Sequence, residues 1–291
     1  MESARAGTEP EQNRPASDAR TSPRGPSAND YWQEVGRRLA RGPNRPLWRM
    51  CCDSLNRRWL ERQLREDRFE AALKTDMFDE AAGEGMFPFL SARTDRVFGI
   101  DVAAVTCRLA RNRYFDLATA ACDVRDLPFG GGAFDLILSL STLDHFAAVS
   151  DIEKALKSLY EALRPGGCLL ITLDNLCNPA VRIRNSIRWR MLAKTGLVPY
   201  RVGQTLRPGE LRNALEHAGF QVQSAGTLVH VPRVLAVALS KLLDGIAGQR
   251  AKQFFCRAVL AFEHLSMWPT ANWTGHYTAV KAVRPGGADH H

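Results

Sequence analysis

The chain has 291 residues, with 39 Lys plus Arg against 31 Asp plus Glu, a formal net charge of +8. Its 45% hydrophobic and 24% charged content excludes a wholly disordered chain, and the length suits one large α/β domain or two small ones. No apolar run approaches the ~18 residues of a spanning helix. The first residues lack the apolar stretch of a secretory leader, and seven cysteines without framework spacing predict a cytoplasmic protein with reduced thiols. Cys51 and Cys52 are neighbours and cannot bridge each other. No Cys-x-x-Cys pair occurs, so no metal site is expected. The positive balance fits either a coding preference for Arg or an anionic partner.

Residues 1–29 contain no Val, Ile, Leu, Phe, Tyr or Trp and are expected to be a disordered tail, as is 285–291. Residues 30–284 are expected to form a single domain, opening with N-terminal helices over 30–68: apolar residues at helical spacing predict helices at 31–41 and 46–66, separated by Pro43 and Pro46. From Phe69 short apolar runs alternate with helical stretches, the pattern of βα units and a mostly parallel sheet. The expected strands are 71–79, 96–101, 117–122, 134–140, 167–173, 220–228 and 274–283, with helices at 103–112, 150–163 and 208–218. Pro165-Gly166-Gly167 is expected to stop the helix before it and turn the chain into the next strand. The core is placed at 69–175 and the C-terminal part at 208–284, with insertions at 176–207 and 230–268. The second insertion carries two amphipathic helices, VPRVLAVALSKLL and QFFCRAVLAFEHL.

Chemistry concentrates at the expected strand ends. The first strand leads into FDEAAGEG, where Gly83 and Gly85 permit a tight turn and close ligand approach, and a following helix N-terminus offers free N–H groups. The second strand ends in VFGID, putting Asp101 where a carboxylate accepts ribose hydroxyls. The combination predicts a nucleoside cofactor. Glu84 in the loop and Pro88, where a dinucleotide fingerprint has a small residue, favour a ligand with an amino group and no phosphates. After the third strand Asp123 is suited to an adenine amine and Val124 to its ring.

The series FDEAAGEG, VFGID, CDVRDLPF, FDLILSLSTLDHF and LRPGGCLLITLDN resembles the class I S-adenosylmethionine-dependent methyltransferases, small-molecule type, over residues 70–175. The resemblance implies an α/β, Rossmann-like, seven-stranded, mostly parallel sheet with its last strand antiparallel and helices on both faces, with S-adenosyl-L-methionine as cofactor and S-adenosyl-L-homocysteine as product. It implies that Asp79, Ala81, Gly83 and Gly85 line the methionine side and that Asp101 binds the ribose. Val102 and Val124 would sandwich the adenine, Asp123 would meet its amine, and Ser139 and Leu140 would border the sulfonium. The family pattern has Gly where this chain has Ala81 and a small or apolar residue where it has Glu80.

On the acceptor side, His145 is the candidate base because its pKa lies near neutral, with Asp144 as its orienting partner. Asp174 and Asn175 follow the fifth strand and are expected to face the acceptor. Between 175 and 215, Arg182, Arg184, Arg188, Arg190, Lys194, Arg201, Arg207 and Arg212 face a single acid, Glu210. Ile183, Ile187 and Met191 give that region an apolar stripe, which predicts a basic helical lid contacting the acceptor through Arg184 and Arg188. The expected reaction is O-methylation of a small-molecule acceptor, anionic or lipid-linked. Residues 229–243, apolar with basic flanks, suit a cover helix or a peripheral membrane contact. Nucleic acid is not the expected partner, since no RNA-binding module or aromatic stacking motif is visible. A non-catalytic methyltransferase-like scaffold, an RNA methyltransferase and a nicotinamide dehydrogenase remain as alternatives, and the chain is expected to be a monomer or homodimer.

Overall fold

The computed structural model describes residues 28–40, 46–65, 67–187 and 201–286. One sheet of seven strands organises the fold in the order β3-β2-β1-β4-β5-β7-β6. The strands are β1 Phe69–Lys74, β2 Thr94–Asp101, β3 Ala118–Ala121, β4 Phe134–Leu140, β5 Leu163–Asp174, β6 Gln221–Leu228 and β7 Tyr277–Val283. The first five pair in parallel, and β7 runs antiparallel between β5 and β6. The strand order reverses between β1 and β4, the switch point where open α/β sheets leave a crevice at their carboxyl ends.

Strand periodicity divides the core into two layers. Ala72, Leu136, Leu138 and Leu170 face one cluster, while Ala71, Leu73, Ile137, Leu169 and Ile171 face the other. On the first face lie α1 Ala28–Ala40 and α2 Pro46–Leu64, the short α3 Phe78–Ala82 and α4 Phe87–Ser91, and α5 Ala104–Arg113. On the second lies α6 Val149–Ala162, whose Ile152, Ala155, Leu156, Leu159 and Ala162 form one buried stripe. The chain then forms α7 Pro179–Ser186 and α8 Pro208–His217, the latter packing Leu211 and Leu215 on this second face. The later insertion forms α9 Arg233–Ile246, α10 Gln249–Ala261, a 3-10 segment Phe262–Met267 and α11 Ala271–Thr274. Ala236 of α9 and Phe255 and Val259 of α10 join the first cluster.

Three expectations need correction. The first strand ends at Lys74 rather than 79, because the Asp76 carboxylate accepts the Phe78 amide at 2.7 Å and bends the chain into α3. Leu163 to Asp174 is one strand with Pro165-Gly166-Gly167 inside it, at the register shift between the Phe134↔Leu163 and Leu136↔Cys168 pairs. The lid helix starts at Pro179, capped by the Asn178 side chain, and ends at Ser186, so Ile187 lies past it. Arg188 and Met191 lie outside the described residues, as do 1–27 and 287–291. The cysteines depart from expectation too. Cys51 of α2 is disulfide-bonded to Cys256 of α10, clamping the late insertion onto the N-terminal helices, while the other five are free.

Candidate active site

A cavity of about 1490 Å³ opens at the carboxyl ends of β1 and β4. Its floor is the sheet edge, and its walls come from α1, α2, α7 and α9. Two positions on its rim carry backbone strain: Ser141 (φ 51°), just past β4, and the β-branched Val229 (φ 62°), just past β6.

One end is built of carboxylates. Asp76, Asp79 and Asp101 all line it. Asp101 Oδ1 accepts from the Ala103 amide at 2.7 Å and Oδ2 from Met77 at 3.3 Å, so the loop after β1 is tied to the tip of β2. Burial and the nearby Asp76 push Asp101 up to about 7. Burial raises Asp76 itself, against the pull of Lys74, and burial with Asp79 and Glu80 lifts Asp53 of α2 to about 7. The cations here are already engaged. Lys74 Nζ pairs with Glu80 at 2.9 Å, and Arg49 donates to Asp79 at 2.7 Å while lying over the Phe78 ring. This is a desolvated, negative pocket with acceptors in excess of donors. A ligand bearing a sulfonium, an ammonium and a ribose diol fits it; a pyrophosphate does not.

Three residues expected here are displaced. Ala81, Gly83 and Gly85 are not among those lining the cavity, because β1 ends at Lys74 and the loop facing the crevice is Thr75–Phe78. Gly85 is required for another reason. It has φ 63°, and a Cβ there would run into the Glu80 carboxylate, which accepts the Met86 amide at 2.8 Å.

The neighbouring wall holds Val102, Val124 and Asp123. Arg125 grips Asp123 through Nε at 3.0 Å and Nη2 at 2.6 Å and reaches Asp151 at 2.6 Å. Burial acts to raise Asp123, but the hydrogen bonds from Arg125 prevail and hold it below the ordinary carboxylate range. Leu140 lines the cavity; Ser139 is buried beneath it and accepts from Thr75 Oγ1 at 3.0 Å.

The far end holds the acceptor candidates. Asp144 is buried; its Oδ2 accepts from the Asp174 amide at 3.2 Å, and its Oδ1 has no hydrogen-bond partner. Burial and Asp174 push its pKa up to about 6. His145 Nδ1 meets the Arg201 carbonyl at 3.1 Å, which only accepts, so Nδ1 carries the proton and Nε2 is the accepting nitrogen, 4.0 Å from Asp144 Oδ1. The His145 ring also stacks edge-on against Trp32 of α1. Asp174 and Arg184 both line the cavity but are joined to each other at 2.6 Å. Burial works to raise Asp174, yet the Arg184 guanidinium, with Arg233 behind it, holds it well below the usual range. Asn175 does not line the cavity. Its amide nitrogen bonds the Asn272 and Gly275 carbonyls at 2.7 and 3.0 Å, bracing the approach to β7.

Several lining residues carry no signal in the sequence. His276 sits 3.3 Å from Asp174 because β5 pairs with β7, and Arg233 of α9 donates to its Nε2. Burial and Arg233 push His276 down to about 4, so it is neutral. Tyr31 and Trp32 of α1 close the top, with the Arg201 amide donating to the Tyr31 hydroxyl at 2.6 Å. Among the described residues no group of His, Cys, Asp or Glu is placed to hold a metal ion.

Comparison with known proteins agrees with this geometry. Residues 78–171 match a family described as a methyltransferase domain. The chain is 26% identical over 171 residues to the ubiquinone/menaquinone biosynthesis C-methyltransferase UbiE of Haemophilus ducreyi, covering 50% of this chain and 64% of that protein. It is 32% identical over 104 residues to a tRNA (carboxymethyluridine(34)-5-O)-methyltransferase, alkbh8, of Xenopus tropicalis, covering 35% of this chain and 16% of the relative. Among solved structures, the cyclase SpnF superposes with TM-score 0.59 at 19% identity, covering 90% of this chain and 98% of its own. The geranyl diphosphate C-methyltransferase of Streptomyces coelicolor A3(2) gives 0.53 at 13% identity, covering 79% and 77%. A cyclase on this fold shows that the fold does not dictate the reaction. The domain match over residues 78–171, the fold and the cofactor-shaped acidic end together support a class I S-adenosylmethionine-dependent methyltransferase.

Proposed function

We propose that the protein transfers a methyl group from S-adenosylmethionine to an oxygen of a largely apolar small-molecule or lipid-linked acceptor. The observation that carries this is Asp144 Oδ1, a buried carboxylate oxygen without a partner in the wall of the acceptor end. An acceptor hydroxyl supplies the missing donor there, and the raised pKa makes Asp144 a suitable recipient of its proton. The cofactor supplies an activated methyl on a sulfonium; the protein's part is alignment, exclusion of water by α1 and α7, and uptake of that proton. His145, held by the Arg201 carbonyl and Trp32, positions this corner. Arg184, Arg49 and Arg125 are each paired with an aspartate, which favours a neutral acceptor over an anionic one.

The test is a thermal-shift series with S-adenosylhomocysteine and NADH, followed by transfer of labelled methyl to hydroxylated apolar acceptors. Stabilisation by S-adenosylhomocysteine alone, about 2.7 kcal/mol at a hundredfold excess over Kd, is expected. A response to NADH instead would overturn the cofactor reading. The similarity to tRNA methyltransferases supports a second reading, transfer to RNA. Label appearing in bulk tRNA and in no small acceptor would decide for it.

A further inference from the structure

The late insertion leaves an apolar surface uncovered. Along α9, Leu235, Leu239, Leu242 and Ile246 recur at helical spacing and are 71%, 46%, 60% and 76% exposed. Along α10, Phe254 (75%) lies in a row with the exposed Ala251, Ala258 and Ala261. Met267, Trp268 and Trp273 follow, the two indoles 61% and 66% exposed. Such a density of exposed large apolar side chains on adjoining helices is unusual on a surface that meets only water.

The charges around it select the occupant. Within 230–275 the only acids are Asp244 and Glu263, and both face inward. Asp244 accepts the Leu47 amide at 3.1 Å; Glu263 accepts those of His230 and Val229 at 3.0 and 3.4 Å. The exposed charges beside this face are Arg250 and Arg257 of α10, both cationic, while the exposed Lys241 stands on the cavity flank of α9. We infer that this apolar, indole-bearing, cation-flanked face of α9–α11 docks on an anionic lipid bilayer. Lipid bilayers take apolar side chains into the acyl boundary, indoles at the headgroup level and Lys or Arg against anionic headgroups. A second copy of the chain is a poorer occupant, because a two-fold contact brings Arg250 and Arg257 toward their own copies. The opposite flank of α9 lines the cavity through Val237, Ala238 and Lys241, so the docked face adjoins the acceptor entrance.

The test is co-sedimentation of the full chain with phosphatidylglycerol/phosphatidylcholine vesicles and with pure phosphatidylcholine vesicles, at low and high salt, alongside its mass by light scattering. The readout is partition, so it stands or falls separately from methyl transfer. Expected is pelleting with the anionic vesicles, weakened by salt. The double variant Leu239→Glu, Leu242→Glu should abolish it with unchanged circular dichroism, and Arg250→Glu with Arg257→Glu should weaken it about tenfold or more. Protein left in the supernatant with anionic vesicles overturns the inference. So does a dimer that the leucine variant converts to monomer, which assigns the face to a second copy.

Discussion

Replacing Asp144 by Asn isolates one buried carboxylate whose cost and use are opposed. Burial and the Asp174 charge raise its pKa from 3.8 to about 6, so ionising it in the folded protein costs about 3 kcal/mol more than in the unfolded chain. The sign follows from that direction. The unfolded chain releases this proton near pH 4 and the folded one near pH 6, so stability is greatest below about 4, falls between 4 and 6, and is flat above. Asn keeps the oxygen that accepts the Asp174 amide and presents an NH2 where Oδ1 stands, 4.0 Å from the accepting nitrogen of His145. The variant should therefore gain up to about 3 kcal/mol at pH 7.5 and nothing at pH 4, read as the difference between urea-unfolding curves at several pH values. Methyl transfer should fall by about 10² to 10⁴, the usual loss for a proton acceptor, with the wild-type kcat rising through pH 6. A variant less stable than wild type at pH 7.5 would refute the buried-charge reasoning, and one retaining full kcat would refute the role in catalysis.

Other positions give separate readings. Asp101→Asn should weaken S-adenosylhomocysteine by at least tenfold in titration calorimetry, and wild-type affinity should fall as pH drops below about 7. Asn is preferable to Ala there, since Ala would strand the Ala103 and Met77 amides as well. Gly203→Ala should lower kcat and loosen the segment covering His145 in proteolysis, because its Cβ would strike the Phe146 carbonyl and the His145 backbone, which cannot yield. Cys256→Ser opens a bridge spanning 205 residues and should cost about 5 kcal/mol in the chain-entropy account, a lower Tm that reductant reproduces in the wild type and leaves unchanged in the variant.

Strands written as short apolar runs are legible in the chain. β4 was read at 134–140, where every residue is buried, and α6 from its single apolar stripe. The first strand was overread because Met77 and Phe78 continue the apolar run; the bend comes from one Asp76 side-chain hydrogen bond, which carries no periodic signal. The same bend keeps Gly83 and Gly85 out of the cavity lining, and Gly85 is needed there beside the Glu80 carboxylate. His276, Arg233 and Trp32 were invisible because each reaches the cavity through contacts distant in sequence. Cys51 and Cys256 were unreadable as a pair because only the packing of α10 on α2 brings them together.

The acidic end of the cavity explains why a chain without a glycine-rich turn at the tip of β1 can still hold a nucleoside. Where glycines admit a ligand by giving it room, Thr75–Phe78 offers instead Asp76 beside Asp101 and Asp79. Burial above all raises Asp76 and Asp101, and the neighbouring carboxylates, Asp79 beside Asp76 and Asp76 beside Asp101, add to it. Lys74 and Arg49 are each already paired, so relief must come from the ligand. A sulfonium with its ammonium and ribose hydroxyls provides it, and the same ligand after losing its methyl is less positive by one charge. The pocket should therefore prefer the methyl donor to the spent product, an asymmetry that favours turnover.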